Sequence, residues 1–121
     1  MDNKTMINDQ VFTYYSRLAR VKEHVEHNLD GDLSLAAVAG VAGMERGYFS
    51  RFFRQKTGVR FSNWVASLRV QRAKDLMRSA NRSITRVAYS VGFRDVRTFE
   101  RTFKRDTRMT PSAFKKLVRP S

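Results

Sequence analysis

An all-α fold of about seven helices, with two helix-turn-helix subdomains joined by a long central helix, is predicted by three features of this sequence. Apolar residues recur at the 3.6-residue spacing of helices rather than at strand alternation. One block of the chain returns, with changes, about fifty residues later. Between the two copies, Phe61 to Ala80 runs as FSNWVASLRVQRAKDLMRSA with no Gly or Pro to interrupt it. The implied organisation is a polar extension over 1–8, a first unit over 9–60, a linker helix over 61–80 and a second unit over 81–121.

Each element has a local reason. Asn8 or Asp9 caps a first helix running through Tyr15, Leu18, Val21, Val25 and Leu29, and Asn28, Asp30 and Gly31 stop it. Ser34 then caps a short helix carrying Leu35, Val38, Ala39 and Ala42, which Gly43 ends. After the turn Gly43-Met44-Glu45, a second helix spans Arg46 to Thr57, with Phe49, Phe52 and Phe53 apolar, and Gly58 closes it by adopting a left-handed conformation. The linker helix places Phe61, Trp64, Val65, Leu68, Ala73, Leu76 and Met77 near one apolar stripe, with Arg69, Arg72, Lys74 and Arg78 between them. At about 1.5 Å per residue it is roughly 30 Å long, close to one turn of B-DNA.

The repeat follows. Ser83, Ile84, Val87, Ala88, Val91 and Gly92 match Ser34, Leu35, Val38, Ala39, Ala42 and Gly43 at an offset of 49. One residue is inserted in the turn, after which Phe99, Arg101, Phe103, Lys104 and Thr107 match Phe49, Arg51, Phe53, Arg54 and Thr57 at an offset of 50. Small Ala39 and Ala88 allow close helix crossing, and Gly43 and Gly92 permit the sharp turn. Phe49, Phe53, Phe99 and Phe103, at i, i+4 in each copy, read as core rather than as base-stacking platforms. Thr110-Pro111 starts a last helix, with Pro111 at its first position, from which Phe114 and Leu117 pack back on the second unit.

Composition limits the function. Residues 1–33 hold four Lys/Arg against six Asp/Glu, whereas residues 34–121 hold twenty against five. So uneven a basic charge points to a polyanionic partner. There is no cysteine, which removes disulfides, thiolate nucleophiles and Cys-ligated zinc. His24 and His27 lie at i, i+3 beside Glu23 and Glu26, but two imidazoles without a third ligand read as solvated or capping groups, so no metal and no cofactor is expected. No paired carboxylates, nucleophile with a base, or phosphate-cradling loop suggests an enzyme. No membrane span or secretory segment is read from the sequence, and a cytoplasmic location is expected.

The candidate site is the face of each second helix away from its Phe pair. Five basic residues and no acid lie between Arg46 and Arg60, and six basic residues with three acids between Arg94 and Arg108. A guanidinium bridges O6 and N7 of guanine in the major groove, or binds phosphate. Arg51 and Arg101, at the same repeat position, rank first as base contacts, with Arg46, Ser50, Arg97 and Glu100 as further readers. Glu100 also has the alternative of pairing with Arg97 or Lys104. Gly47, having no side chain, either permits close approach or leaves the first unit less selective.

Taken together, LSLAAVAGVAG, YFSRFFRQKTG, LRVQRAKDLM and ITRVAYSVGFRDVRTFERTFKRDTRMTPSAFK resemble the DNA-binding domain of the AraC/XylS family of bacterial transcription regulators, over Leu33 to about Val118. The resemblance implies sequence-specific binding of double-stranded DNA, with the second helix of each unit in successive major grooves, and transcription regulation, most often by recruiting RNA polymerase. By position it implicates Arg46, Gly47, Ser50 and Arg51, then Val96, Arg97, Glu100 and Arg101. Arg54, Lys56, Lys104 and Arg105, with the helix starts at Ser34 and Ser83, fall to phosphates. Glu45 stands where the family commonly has a Ser cap, predicting a weaker N-cap, and Arg108 where Gly is common, predicting a disturbed C-cap. Both a stand-alone activator and the C-terminal domain of a longer regulator fit. A monomer is expected for the chain alone, and a dimer is compatible with a longer chain. The alternative is a nonspecific architectural nucleic-acid-binding protein.

Overall fold

The computed structural model describes residues 7–119, so most of the expected extension over 1–8 lies outside the described residues. Eight α-helices, and no strand, occur among them: α1 (Val11–Tyr14), α2 (Ser16–His27), α3 (Leu35–Ala42), α4 (Arg46–Thr57), α5 (Phe61–Ser79), α6 (Ile84–Ser90), α7 (Val96–Thr107) and α8 (Pro111–Val118). The chain divides into two compact units, one ending at Val65 and one beginning at Ala66. None of the helices is long and apolar enough to cross a membrane.

In the first unit, the single expected first helix is two. It breaks at Tyr15, whose backbone is extended at φ −103° and ψ 114°. The cause is packing. Phe12 and Leu18 are both buried, yet six residues turn an uninterrupted helix through roughly 600° and leave them on different faces. The break lets Phe12 stack on Trp64 (centroids 5.1 Å apart, planes 18° apart) while Leu18, Val21 and Val25 face the core along α2. Neither Asn8 nor Asp9 caps a helix. Gln10 occupies that position without a side-chain bond, and Asn8 instead accepts from the Gln10 N–H at 3.3 Å. Phe49 and Phe53 of α4 are fully buried, as expected, and meet the Phe61 ring edge-on at 5.3 Å each. Such aromatic pairs contribute about 0.5–1.5 kcal/mol each beyond area burial. At the end of α2, Asn28 donates to the His24 carbonyl at 2.8 Å and the His27 ring lies 2.8 Å from the Glu23 carbonyl, so these groups serve the helix terminus.

The second unit is built around Val70, Ala73, Met77, Val87, Ala88, Val91, Phe93, Phe99, Phe103 and Phe114. Leu68 and Leu76, expected in the apolar stripe, are only half-buried. Val70 takes the place instead, because it and not Leu68 continues to Ala73 and Met77 at i, i+3, i+7. Leu117 is also corrected. It is 71% exposed, since Pro111, Phe114 and Val118 form the inward face of α8 at i, i+3, i+7.

The two turns are copies in hydrogen bonding as well as in sequence. Gly43 donates to Gly40 and Met44 to Ala39 (3.1 and 3.0 Å), while Gly92 donates to Tyr89 and Phe93 to Ala88 (3.1 and 3.0 Å). Gly43 and Gly92 have φ of 68° and 106°. A Cβ at Gly43 would meet nothing within 4 Å, so it is conformation and not space that requires glycine there. A second shared device was not read from the sequence. Thr57 Oγ1 donates to the Phe53 carbonyl at 2.7 Å and accepts from the Val59 N–H at 3.2 Å. Thr107 repeats it with Phe103 at 2.8 Å and Met109 at 3.1 Å, closing α7 as Thr57 closes α4.

Candidate nucleic-acid interface

The helices that carry the candidate readers begin on acids. Glu45, expected to weaken the start of α4, caps it twice: its carboxylate accepts the Gly47 N–H at 2.8 Å and the Tyr48 N–H at 3.1 Å. The longer glutamate folds back to reach both donors, one more than a serine hydroxyl at this position commonly satisfies. On α7 the same repeat position is Asp95, whose two oxygens accept from the Thr98 N–H at 2.7 Å and the Thr98 hydroxyl at 3.0 Å. The signal for Asp95 was present in the offset of 50 from Glu45. Backbone donation from Gly47 and then Tyr48 holds the Glu45 carboxyl below the usual carboxylate range, helped by Arg51 and Arg46. The Thr98 N–H and then its hydroxyl do the same for Asp95, helped by Arg101.

The far ends match too. Gly58 (φ 87°) donates to the Arg54 carbonyl at 2.9 Å, and Arg108 donates to Lys104 at 2.8 Å. Arg108 has φ 64° and is the one non-glycine residue with positive φ among those described. The expected disturbance of this C-cap is therefore absent in geometry. Its cost is conformational, about 1–2 kcal/mol for an L-residue in the left-handed region.

Between these caps lie the sequence-predicted residues. On α4, Arg46, Arg51 and Arg54 are exposed and Gly47 and Ser50 half-buried. They follow i, i+1, i+4, i+5, i+8, on a face turned away from Phe49 and Phe53. On α7, Arg97, Glu100, Arg101 and Lys104 are exposed at i, i+3, i+4, i+7. Among the described residues Glu100 makes no ion pair with Arg97 or Lys104, leaving its carboxylate directed to solvent. Val96 is half-buried against the core of the second unit. Two of the phosphate candidates are occupied within the protein: Lys56 Nζ sits over the rings of Tyr15 and Phe52 (5.1 and 5.8 Å), and Arg105 pairs with Asp106 at 3.3 Å. The hydroxyls of Ser34 and Ser83 accept from the Ala37 and Arg86 N–H groups (3.3 and 3.1 Å) and so cap α3 and α6. Tyr48, half-exposed on α4 and stacked on Phe52, was not singled out by sequence.

No group of three or more His, Asp or Glu side chains suited to a metal ion occurs among the described residues. The arrangement instead presents, in each unit, a rigidly capped helix with arginines on its open face.

Comparison with known proteins gives the arrangement a lineage. A helix-turn-helix domain family matches residues 38–117. The transposon Tn10 TetD protein of Escherichia coli is 34% identical over 92 residues, covering 76% of this chain and 67% of TetD. An uncharacterised helix-turn-helix-type transcriptional regulator of Bacillus subtilis, YfiF, is 32% identical over 92% of this chain, which spans only 35% of YfiF. Among solved structures, the DNA-binding domain of AdpA, a global transcriptional factor crystallised with a target DNA, superposes with a TM-score of 0.78 at 29% identity, over 84% of this chain and 91% of that one. A regulator with an AraC-type DNA-binding domain from Chromobacterium violaceum shares the fold at a TM-score of 0.79 and 24% identity, over 90% and 98% of the two chains. With its duplicated helix-turn-helix units and its match across residues 38–117, the chain belongs to the AraC-type helix-turn-helix family of DNA-binding transcriptional regulators.

Proposed function

We propose that this chain reads a specific double-stranded DNA site with α4 and α7 placed in successive major grooves, and that it activates transcription by recruiting RNA polymerase, without catalysis of its own. The observation that carries the reading is the duplication of a capped helix bearing an exposed arginine at one repeat position, Arg51 on α4 and Arg101 on α7. A solvated basic face has no reason to repeat in both its caps and its cations. AdpA, whose domain is crystallised on target DNA, supports the partner. Arg46, Ser50, Arg97 and Glu100 complete the base-reading set, and Arg54 and Lys104 contact phosphates. We further propose the division into a first unit over 9–60, a linker helix over 61–80 and a second unit over 81–121, a monomer in the absence of DNA, and a cytoplasmic location.

Substitution separates base reading from phosphate contact. Arg101→Ala is expected to relax preference at one position and to cost about 1–3 kcal/mol on the preferred site, the worth of a bidentate guanine contact. Lys104→Ala should weaken all duplexes alike and lower the salt slope by about 1. Specific binding should also survive an excess of random duplex. Loss of binding under that competition, with equal losses in both variants, would mark the chain as a nonspecific architectural protein.

A further inference from the structure

Glu45 is placed to do more than cap α4. Its Oε1 and Oε2 lie 3.3 and 3.4 Å from the point where a Cβ on Gly47 would stand, and Arg51 Nη1 lies 3.4 Å from the same point. A carboxylate and a guanidinium thus converge over bare backbone in the first turn of the helix. A carboxylate offers about four lone-pair sites. Two are taken by the Gly47 and Tyr48 N–H groups, and the residue is exposed, so acceptor capacity remains on the open side.

In the major groove, guanine presents the acceptors O6 and N7, while cytosine presents the N4–H₂ donor. Arginine satisfies the first pattern and glutamate the second. We infer that Glu45 is a specificity-determining residue of the first unit, accepting a hydrogen bond from cytosine N4 next to a guanine held by Arg51, with Gly47 supplying the clearance between the two side chains. The inference rests on the reading that α4 enters the major groove. It also makes the two units unequal. Asp95 has one oxygen on the Thr98 N–H and the other on the Thr98 hydroxyl, and Arg97 stands where the first unit has Gly47. The second unit therefore lacks the clearance that Gly47 gives, and its carboxylate is one methylene shorter with both oxygens turned onto Thr98, so it reaches less far toward a base.

The test is selection of bound duplexes from a random pool by the wild type, Glu45→Gln, Glu45→Ser and Arg51→Ala, with fold checked by circular dichroism. Serine is a good N-cap but too short to reach a base, and glutamine keeps the length without the charge. Both Glu45 variants should lose roughly tenfold in discrimination for cytosine at a single position, within the range of one base contact. That position should neighbour, or pair with, the one relaxed by Arg51→Ala. All other positions should keep their profile, even as removal of an anion tightens general binding. An unchanged base profile in both Glu45 variants, with affinity shifted equally for every duplex, would make Glu45 a cap and a source of phosphate repulsion only, and would overturn the inference while leaving the DNA-binding reading intact. A wild type that enriches no motif would overturn both.

Discussion

Replacing Arg108 by glycine should stabilise the second unit. Arg108 closes α7 at φ 64°, where the first unit uses Gly58 at φ 87°. Holding an L-residue in the left-handed region costs about 1–2 kcal/mol. Glycine removes that cost but adds about 0.5–1 kcal/mol of unfolded-state entropy. The difference is a net gain of about 0.5–1 kcal/mol, and removal of an exposed side chain contributes little by itself. Arg108→Ala is the control, because it loses the same charge while keeping the backbone cost. Urea unfolding should be followed by two probes. Trp64, the only tryptophan, lies in the first unit, whereas far-ultraviolet dichroism reports both. The Arg108→Gly midpoint should rise in the dichroism transition with the Trp64 fluorescence transition little changed. If Arg108→Gly is no more stable than Arg108→Ala, then the positive φ is not costly in this protein and the argument fails.

Two other outcomes follow from the caps and turns. Gly43→Ala should lose about 0.5–1 kcal/mol although nothing crowds its Cβ, because the strain of the φ of 68° outweighs the lower unfolded-state entropy of alanine; a neutral effect in urea unfolding would contradict this. Asp95 has a folded-state pKa below its unfolded value, so its contribution is full above the unfolded value, at neutral pH, and is lost as pH falls through the lowered folded value. The Thr98 amide, followed by NMR, should therefore shift as the cap is protonated, on the acid side of the ordinary aspartate range. Asp95→Asn should abolish that titration, and a titration unchanged in the variant would assign the cap elsewhere.

What the sequence disclosed was periodic or repeated. The α3–α4 and α6–α7 pairs, the four buried phenylalanines and the Ser34 and Ser83 caps follow from spacing and from offsets of 49 and 50, and the Thr110 cap from the Thr-Pro pair at the start of α8. The misses depend on where neighbouring elements lie. Tyr15 breaks a periodic helix because Phe12 has to meet Trp64 across the unit, a contact that local pattern does not contain. Val70 outranks Leu68, and Leu117 faces outward, because burial is decided by the partner surface rather than by hydrophobicity. Glu45 was underrated since capping preferences favour short side chains, yet its reach secures two donors at once. In the candidate site, the helices and their arginines were legible. The withdrawal of Lys56 onto Tyr15 and Phe52 was not, since Tyr15 is 41 positions away in sequence.

The central claim is that α4 and α7 each read their own part of one DNA site, and the most direct measurement is a comparison of duplex-selection profiles for the wild type, Arg51→Ala and Arg101→Ala. The wild type should enrich an asymmetric, non-palindromic motif of roughly two helical turns. Arg51→Ala should relax preference at a position in one half of that motif and Arg101→Ala at a position in the other, each leaving the remaining half unchanged. Relaxation of the same half by both substitutions, or of neither, would contradict the account.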